Sequence, residues 1–289
     1  MNATRQARMA LPYLLPTLLV LFLAGVVPLG FVAFYSLHDT FGGNIFVWVG
    51  DQWFRQVLTS HEFYDALLRS LAFSLLVLSV QIPLGIAIAL RIPRSGLFAA
   101  ALVLLAIPML TPTITVGYLW KVMTQPAGLL SQTLGLIGLT LDMNSTLWTW
   151  ITLVLMDTWH WSGLVILLCY ARLRAIPEAY YQAAAIDGAS RWAVFRHIQL
   201  PRLKLVLAIA ILLRFMDSFT IYAEAYVLTK GGPGLSTVFL SHELVQTGLI
   251  QFDLGEAGAM AVIYFAIVVV VSAFFYRLIV PSKAGEARI

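Results

Sequence analysis

Ionisable and aromatic side chains interrupt two strongly apolar stretches of this 289-residue chain. The segment MDTWHWSG (156–163) places an acid and a histidine beside tryptophans, and RFMDSFTIYAEAY (214–226) places a base and two acids beside tyrosines. Charged groups are costly in apolar surroundings, so they usually pair or face an interior cavity. Carboxylates accept hydroxyl protons and aromatic rings pack against C–H groups, which suits a polyhydroxylated ligand. The residues that could line a path for such a ligand are Asp157, Trp159, His160, Trp161, Arg214, Asp217, Tyr222 and Glu224.

Each of these candidates has a purely structural alternative. In one continuous helix, Arg214, Asp217, Ile221 and Glu224 would share a face at i, i+3, i+7 and i+10, and Arg214 could simply pair with Asp217. His160 could be a packing residue with its hydrogen bonds satisfied. The aromatic candidates could instead form a belt at the membrane surface. These are Trp159, Trp161, Tyr222 and Tyr226.

The composition identifies the class of protein. Hydrophobic residues make up 60% of the chain and charged residues 11%, whereas about 25% is charged in soluble domains. Apolar blocks recur at lengths that can cross a bilayer, for which about 20 residues suffice. The sequence therefore predicts an all-α polytopic membrane protein with a single transmembrane domain over residues 1–289. The expected spans are 11–37, 66–90, 97–120, 147–171, 205–228 and 257–280.

Two features qualify the predicted spans. The first one follows Arg5 and Arg8 as a signal peptide would, but it shows no obvious cleavage site of small residues, so we interpret it as a retained span. The stretch IPMLTPTITVG (107–117) carries two prolines, which predicts a kink or a locally unwound turn in the third span.

The basic residues predict the orientation. With both chain ends in the cytoplasm, thirteen Lys and Arg residues fall on inner segments and only Arg55, Lys121 and Lys230 fall on outer loops. Arg69 and Arg214 lie within spans. This asymmetry follows the positive-inside rule and places residues 172–204 in the longest inner loop. It also accounts for the net charge of +4 without a nucleic-acid partner.

The chain contains none of the common catalytic or cofactor motifs. It has no G-x-x-x-x-G-K-[ST] phosphate loop, no H-E-x-x-H and no G-x-S-x-G. The single cysteine, Cys169, lies in an apolar block, where packing is the expected role. Any energy source must therefore be an ion gradient or a partner protein.

The inner loop has a shape of its own. AIPEAYYQAAAIDGAS (175–190) predicts a short helix with Pro177 at its first position and Gly188 in a left-handed cap. SRWAVFRHIQL (190–200) predicts a second helix that Pro201 closes. On physical grounds alone, an amphipathic loop on the membrane surface is an equal alternative.

The same loop resembles the EAA loop of binding-protein-dependent ABC importers. Gln182-Ala183-Ala184, Asp187-Gly188-Ala189, Ile198 and Leu200-Pro201 fall in register with the family pattern. Two positions depart from it: Gln182 replaces the usual glutamate, and Leu205 stands where a proline is common.

The resemblance implies a type I importer permease fold with a cytoplasmic coupling helix. It implies partners as well: a second homologous permease, two ATP-binding subunits that hold ATP and magnesium, and an extracytoplasmic substrate-binding protein. No cofactor belongs to this chain, which would be non-catalytic and lie in the bacterial cytoplasmic membrane. The residues expected to couple to the ATPase are Glu178, Gln182, Ala183, Ala184, Asp187, Gly188 and Ala189.

Two further segments resemble carbohydrate-type permeases of the maltose, polyol and glycerol-phosphate group. These are SHEFYDALLRSLAFSLL (60–76) and YVLTKGGPGLSTVFL (226–240). The second contains a tight Gly-Pro turn, which could also be an ordinary loop that ends a helix. The resemblance implies that this turn faces the binding protein, through Thr229, Gly231, Gly232 and Pro233.

Three other functions remain open from the sequence. A permease of this kind could carry a non-carbohydrate solute. An ion-coupled secondary transporter would also hold carboxylates at membrane depth, but such folds often carry inverted repeats, and none is evident here. A membrane enzyme would need a positioned nucleophile or metal set, which the sequence does not suggest. Arg214 is nearly the only base at depth, which disfavours a multiply charged anion.

Overall fold

A computed structural model describes residues 14–41, 45–93 and 99–279. These residues are mostly helical, and they divide into two compact units. The helices are α1 Leu14–Tyr35, α2 Gln52–Thr59, α3 His61–Ala89, α4 Ala99–Ala106, α5 Thr113–Met123, α6 Leu129–Leu136, α7 Thr146–Arg174, α8 Glu178–Ile186, α9 Arg191–Phe219, α10 Ala223–Thr229, α11 Leu240–Val245 and α12 Leu254–Ile279. The strands are β1 His38–Phe41 and β2 Ile45–Trp48.

The smaller unit comprises the described residues up to Phe63 together with Glu243–Ile267. Its β1 and β2 pair antiparallel, with His38 opposite Trp48. The indole N–H of Trp53 donates to the carbonyl of His38 at 3.1 Å, which fastens α2 to the hairpin. The apolar helix α1 buries none of its spanning window, so its surface is available to lipid or to another chain.

The larger unit contains Tyr64–His242 and the described residues from Val268 onward. Its main core is an apolar cluster at the meeting of α3, α5, α7 and α10. Small residues bring these helices together: a Cβ on Gly85 of α3 would lie 2.9 Å from Cβ of Val165 on α7. A second cluster buries Cys169 completely, which confirms its expected role in packing.

Within the described residues, four helices are long and apolar enough to cross a membrane, and up to six segments qualify if each of two bent pairs is one span. The predicted break in the third span is confirmed, because the Leu102–Leu110 and Thr113–Met123 segments meet at 99°. Pro108 and Pro112 lie at this bend, where their missing N–H groups cannot continue the helical hydrogen bonds. Residues 11–13, 97–98 and 280, at the ends of three predicted spans, lie outside the described residues.

The other bent pair differs from the sequence prediction. Helix α9 ends at Phe219, and α10 begins at Ala223 after a turn of 47°. The hydroxyl of Thr220 donates to the carbonyls of Met216 and Asp217 at 3.0 and 3.1 Å, which holds the end of α9. The prediction of one helical face that runs from Arg214 to Glu224 is therefore wrong, because the helix is interrupted between them.

Helices α5 and α10 pack closely through Gly117. A Cβ at this position would lie 2.9 Å from the backbone of Glu224 and from Cβ of Val227. The ammonium group of Lys121 donates to the carbonyl of Val227 at 3.1 Å along the same seam. The two short helices are therefore held as one packed pair.

We expect Gly117→Ala to destabilise this pair, since overpacking a fitted interface costs about 1–3 kcal/mol. The matched control is Gly135→Ala, because Gly135 is also helical and has no heavy atom within 4 Å of an added Cβ. Thermal unfolding of each purified variant in the same detergent measures the effect. Equal melting temperatures for the two variants would contradict the packing argument.

Candidate functional site

A fully buried arginine lies at the centre of the larger unit. Arg214 of α9 is 0% exposed, and its guanidinium binds two carboxylates. One Nη donates to Asp157 of α7 at 2.5 Å, and the other donates to Asp217, one turn further along α9. A buried charge of this kind is stable only when it is paired and its donors are satisfied.

A glutamine completes this arrangement from a third helix. The side-chain amide of Gln81 on α3 donates to the carboxylate of Asp157 at 2.7 Å and to its backbone carbonyl at 2.9 Å. Its amide oxygen accepts the Nε–H of Arg214 at 2.8 Å. We call Gln81, Asp157, Arg214 and Asp217 the arginine network. Sequence reasoning missed Gln81, although a lone amide within an apolar stretch was an available signal, and the structure shows that this amide is fully buried.

The two carboxylates of the arginine network differ in their access to solvent. The side chain of Asp157 is 1% exposed, whereas that of Asp217 is 42% exposed. Both acids share one cation, so the network carries an excess of negative charge. Asp217 is therefore a partly accessible carboxylate held by Arg214, whereas Asp157 and Arg214 are enclosed.

Trp161 covers the arginine from the side. Its ring centroid lies 5.1 Å from Cζ of Arg214, within the range of a cation–π contact. Its buried indole Nε1 has no hydrogen-bond partner within the described residues. This donor is therefore unsatisfied as well as buried in this conformation.

His160 has one structural partner, which meets only part of the alternative of a satisfied packing residue, because its buried Nδ1 has no hydrogen-bond partner among the described residues. Its Nε2 donates to the carbonyl of Thr111 at 3.1 Å, and its ring is 1% exposed. Thr111 lies in the proline bend between α4 and α5, where carbonyl groups lose their helical partners. His160 therefore satisfies the backbone of that bend.

Two further candidates lie outside the arginine network. Trp159 is 39% exposed and meets Trp120 edge to face, with ring centroids 6.3 Å apart. Glu224 is buried where α10 meets α5. The structure therefore brings Asp157, Arg214, Asp217 and Trp161 into one group and leaves Trp159 and Glu224 outside it.

Tyr222 belongs to an aromatic trio instead. Its ring stacks on that of Tyr226 with centroids 5.5 Å apart, and the ring of His242 stands perpendicular to both. Burial lowers the pKa of His242, which favours the neutral imidazole. Sequence reasoning missed His242, because it lies far along the chain from the two tyrosines.

The loop after α10 is a tight turn, as the sequence predicted. Lys230 and Gly231 have positive φ angles, of 52° and 87°. The hydroxyl groups of Thr229 and Thr237 lie 2.8 Å apart, and the hydroxyl of Thr237 donates to the carbonyl of Gly232 at 2.9 Å. The Gly232–Pro233 peptide is cis. These hydrogen bonds hold in one compact loop the four residues that were predicted to face the binding protein.

The inner loop forms the predicted helix, glycine and helix. Helix α8 covers Glu178–Ile186, and Gly188 has a left-handed φ of 65°. Nothing lies within 4 Å of a Cβ added at Gly188, so this turn, which we call the glycine knuckle, has open space around it. The predicted coupling residues are exposed apart from Ala184. Ile186 beside them is 87% exposed, a feature that the sequence reasoning overlooked.

Two details of this loop were predicted wrongly. Pro177 is the N-terminal cap residue of α8 and not its first helical residue. Pro201 does not close the second helix, which continues through it to Phe219. The stretch Phe195–Gln199 forms a widened π-turn immediately before Pro201, and such a turn tolerates a residue that lacks an N–H.

Comparison with known proteins identifies the family. Residues 81–285 match the family described as binding-protein-dependent transport system inner membrane component. The chain is 31% identical to the trehalose/maltose transport system permease protein MalF of Thermococcus litoralis, with 98% of this chain and 96% of that protein covered. It is 26% identical to the probable starch degradation products transport system permease protein AmyD of Thermoanaerobacterium thermosulfurigenes, with 90% of each covered.

A solved structure shares the fold. One chain of a bacterial ABC transporter involved in the import of the acidic polysaccharide alginate superposes with a TM-score of 0.80 at 21% identity. The superposition covers 95% of this chain and 96% of that chain. The family match begins at Gln81 and therefore contains the arginine network and the glycine-hinged loop. The chain thus belongs to the binding-protein-dependent transport system inner membrane components, the non-catalytic permease subunits of ABC transporters.

Proposed function

We propose that this chain forms half of the translocation path of an ATP-driven importer for a carbohydrate-class solute. The observation that carries the solute class is the likeness to a trehalose/maltose permease along 98% of the chain. The charge of the arginine network agrees with it, because a site with two acids and one base favours a neutral hydroxylated solute over an anion.

Within this path, Asp217 is the group that contacts the solute. Its half-exposed carboxylate can accept hydroxyl protons, and Arg214 fixes its orientation. Asp157 and Arg214 are enclosed in this conformation, so their role is to position Asp217. Trp161 packs against Arg214 and helps to enclose it, and its buried indole N–H would meet a solute only if this region opened. Of the candidates in the arginine network, only the accessible carboxylate of Asp217 would therefore meet the solute in this conformation.

Energy reaches the path through the inner loop. The exposed knuckle at Gly188 and the exposed side chain of Ile186 suit insertion into a groove of an ATP-binding subunit. In this arrangement the chain spans the cytoplasmic membrane six times, with two bent spans and both ends inside. A second permease completes the path, two ATP-binding subunits hold ATP and magnesium, and the Thr229–Thr237 turn faces the substrate-binding protein.

Asp157→Ala should destabilise the chain strongly. It leaves the buried guanidinium with only one carboxylate, and breaking a buried ion pair costs about 3–5 kcal/mol. The control Asp51→Ala breaks the pair with Arg55, whose side chains are 66% and 79% exposed, and should cost less than about 1 kcal/mol. Melting temperatures of the purified proteins test this. A similar loss in both variants would disprove the positioning role.

Asp217→Asn should lower uptake and leave the complex intact. A hydrogen bond from a solute hydroxyl to a charged group is worth about 1.5–3 kcal/mol, so we expect roughly a tenfold or greater loss. The measurement is uptake into vesicles of the solute that the cognate binding protein retains in a ligand screen. Asp65→Asn is the control, because Asp65 carries the same charge, its side chain is 65% exposed, and it also pairs with an arginine, Arg69. Unchanged uptake by Asp217→Asn would remove Asp217 from the path.

Gly188→Val should uncouple ATP hydrolysis from transport. A left-handed backbone costs an L-residue roughly 1–2 kcal/mol, and the added side chain would enlarge the projecting knuckle. Gly138→Val is the matched control, since Gly138 also has a positive φ and open space around it but lies in the loop after α6. Binding-protein-stimulated ATPase and uptake are measured together in the reconstituted importer. Normal coupling in Gly188→Val would contradict the proposed contact.

A further inference from the structure

An apolar groove lies between the end of α3 and the beginning of α9. It has a volume of about 510 Å³, and its walls include Ile82, Pro83, Ile86 and Phe195. Beside it lies a second crevice of about 480 Å³, which the hydroxyl-bearing Tyr181 and the amide of Gln199 help to line. Arg91 and Arg191 line both spaces. The two arginines therefore stand where an apolar groove adjoins a more polar crevice.

The charges of these two arginines are not neutralised by any ion pair within the described residues. Among the described residues neither forms an ion pair with a carboxylate. Arg91 uses one Nη to donate to the carbonyl of Ala87 at 2.9 Å, which leaves most of its donors available. Both residues are exposed. A pair of guanidinium groups in this state suits a phosphate, because their planar donors match its oxygens.

The dimensions of the groove suit an amphipathic ligand. From Ile82 to Arg91 the helix rises roughly 14 Å at 1.5 Å per residue, which is the length of the upper part of an acyl chain beneath a headgroup. Trp192 on the groove wall is 65% exposed and contacts Phe195, with ring centroids 5.5 Å apart. Tryptophan in such a position is typical of the boundary between hydrocarbon and headgroups.

We propose that this groove is a binding site for one anionic phospholipid of the surrounding bilayer. The phosphate contacts Arg91 and Arg191, the polar headgroup enters the crevice beside Gln199, and an acyl chain lies along Ile82, Pro83 and Ile86. A carbohydrate would leave the apolar wall and the arginines unused. Gly188 lines neither space, but its neighbour Ala189 lines the crevice, so a bound headgroup would lie beside the surface proposed for ATPase docking.

The site can be tested on the purified complex of the full chain with its partner subunits, without any transport assay. Native mass spectrometry after mild delipidation, with phosphatidylglycerol and phosphatidylcholine supplied in equal amounts, counts the lipid that remains bound. We expect the wild type to retain phosphatidylglycerol and the double variant Arg91→Gln/Arg191→Gln to retain about tenfold less. The matched control, Arg196→Gln/Lys204→Gln, removes two exposed charges of the same region that do not line the groove. It should behave as the wild type does.

A thermal measurement separates a lipid from other occupants. Added phosphatidylglycerol should raise the melting temperature of the wild type and the control but not of the Arg91→Gln/Arg191→Gln variant. Equal retention of phosphatidylglycerol in all three proteins, or equal retention of phosphatidylcholine, would overturn the proposal. An equal rise with inorganic phosphate alone would show an anion site without a lipid. If the variant lost the second permease and kept its lipid, the groove would be a protein interface.

Discussion

The burial of one guanidinium group constrains the larger unit more than any other interaction. Arg214 has no access to water, so its charge must be neutralised and its donors satisfied within the protein. Its partners come from three helices: Asp157 from α7, Gln81 from α3 and Asp217 from α9 itself. Hydrogen bonds tolerate only a few tenths of an ångström in length. The axial positions of α3, α7 and α9 are therefore fixed against one another at this level.

The presence of two acids for one base explains how a rigid, buried centre can also present an accessible carboxylate. Asp157 neutralises Arg214 inside the bundle, so Asp217 can be half exposed without leaving the cation unpaired. The break after Phe219 contributes to the same result, because α9 ends within one turn of Asp217 and opens space beside it. In the proposed function, stability depends on the enclosed acid and solute contact on the accessible one.

Local signals allowed part of this structure to be predicted from the sequence. Prolines marked the bend between α4 and α5, and Gly188 marked the left-handed turn after α8. The errors arose where tertiary context decides. Nothing between Thr220 and Tyr222 is a strong helix breaker, yet the helix ends there, and Pro201 continues a helix because a π-turn precedes it. Gln81 was missed because its importance depends on Arg214, which is 133 residues away in the sequence.

Helix α9 connects the two regions to which a function is assigned. It begins three residues after Gly188 and reaches Arg214 and Asp217 near its far end, a distance of roughly 40 Å along its axis. A movement of the knuckle would therefore reach the arginine network through one helix. Because Arg214 is tied to α3 and α7, the three helices would have to move together or the buried pairs would have to separate. Separating buried charges is costly, which favours joint movement of the three helices. The arginine network would therefore make α3, α7 and α9 move as one body.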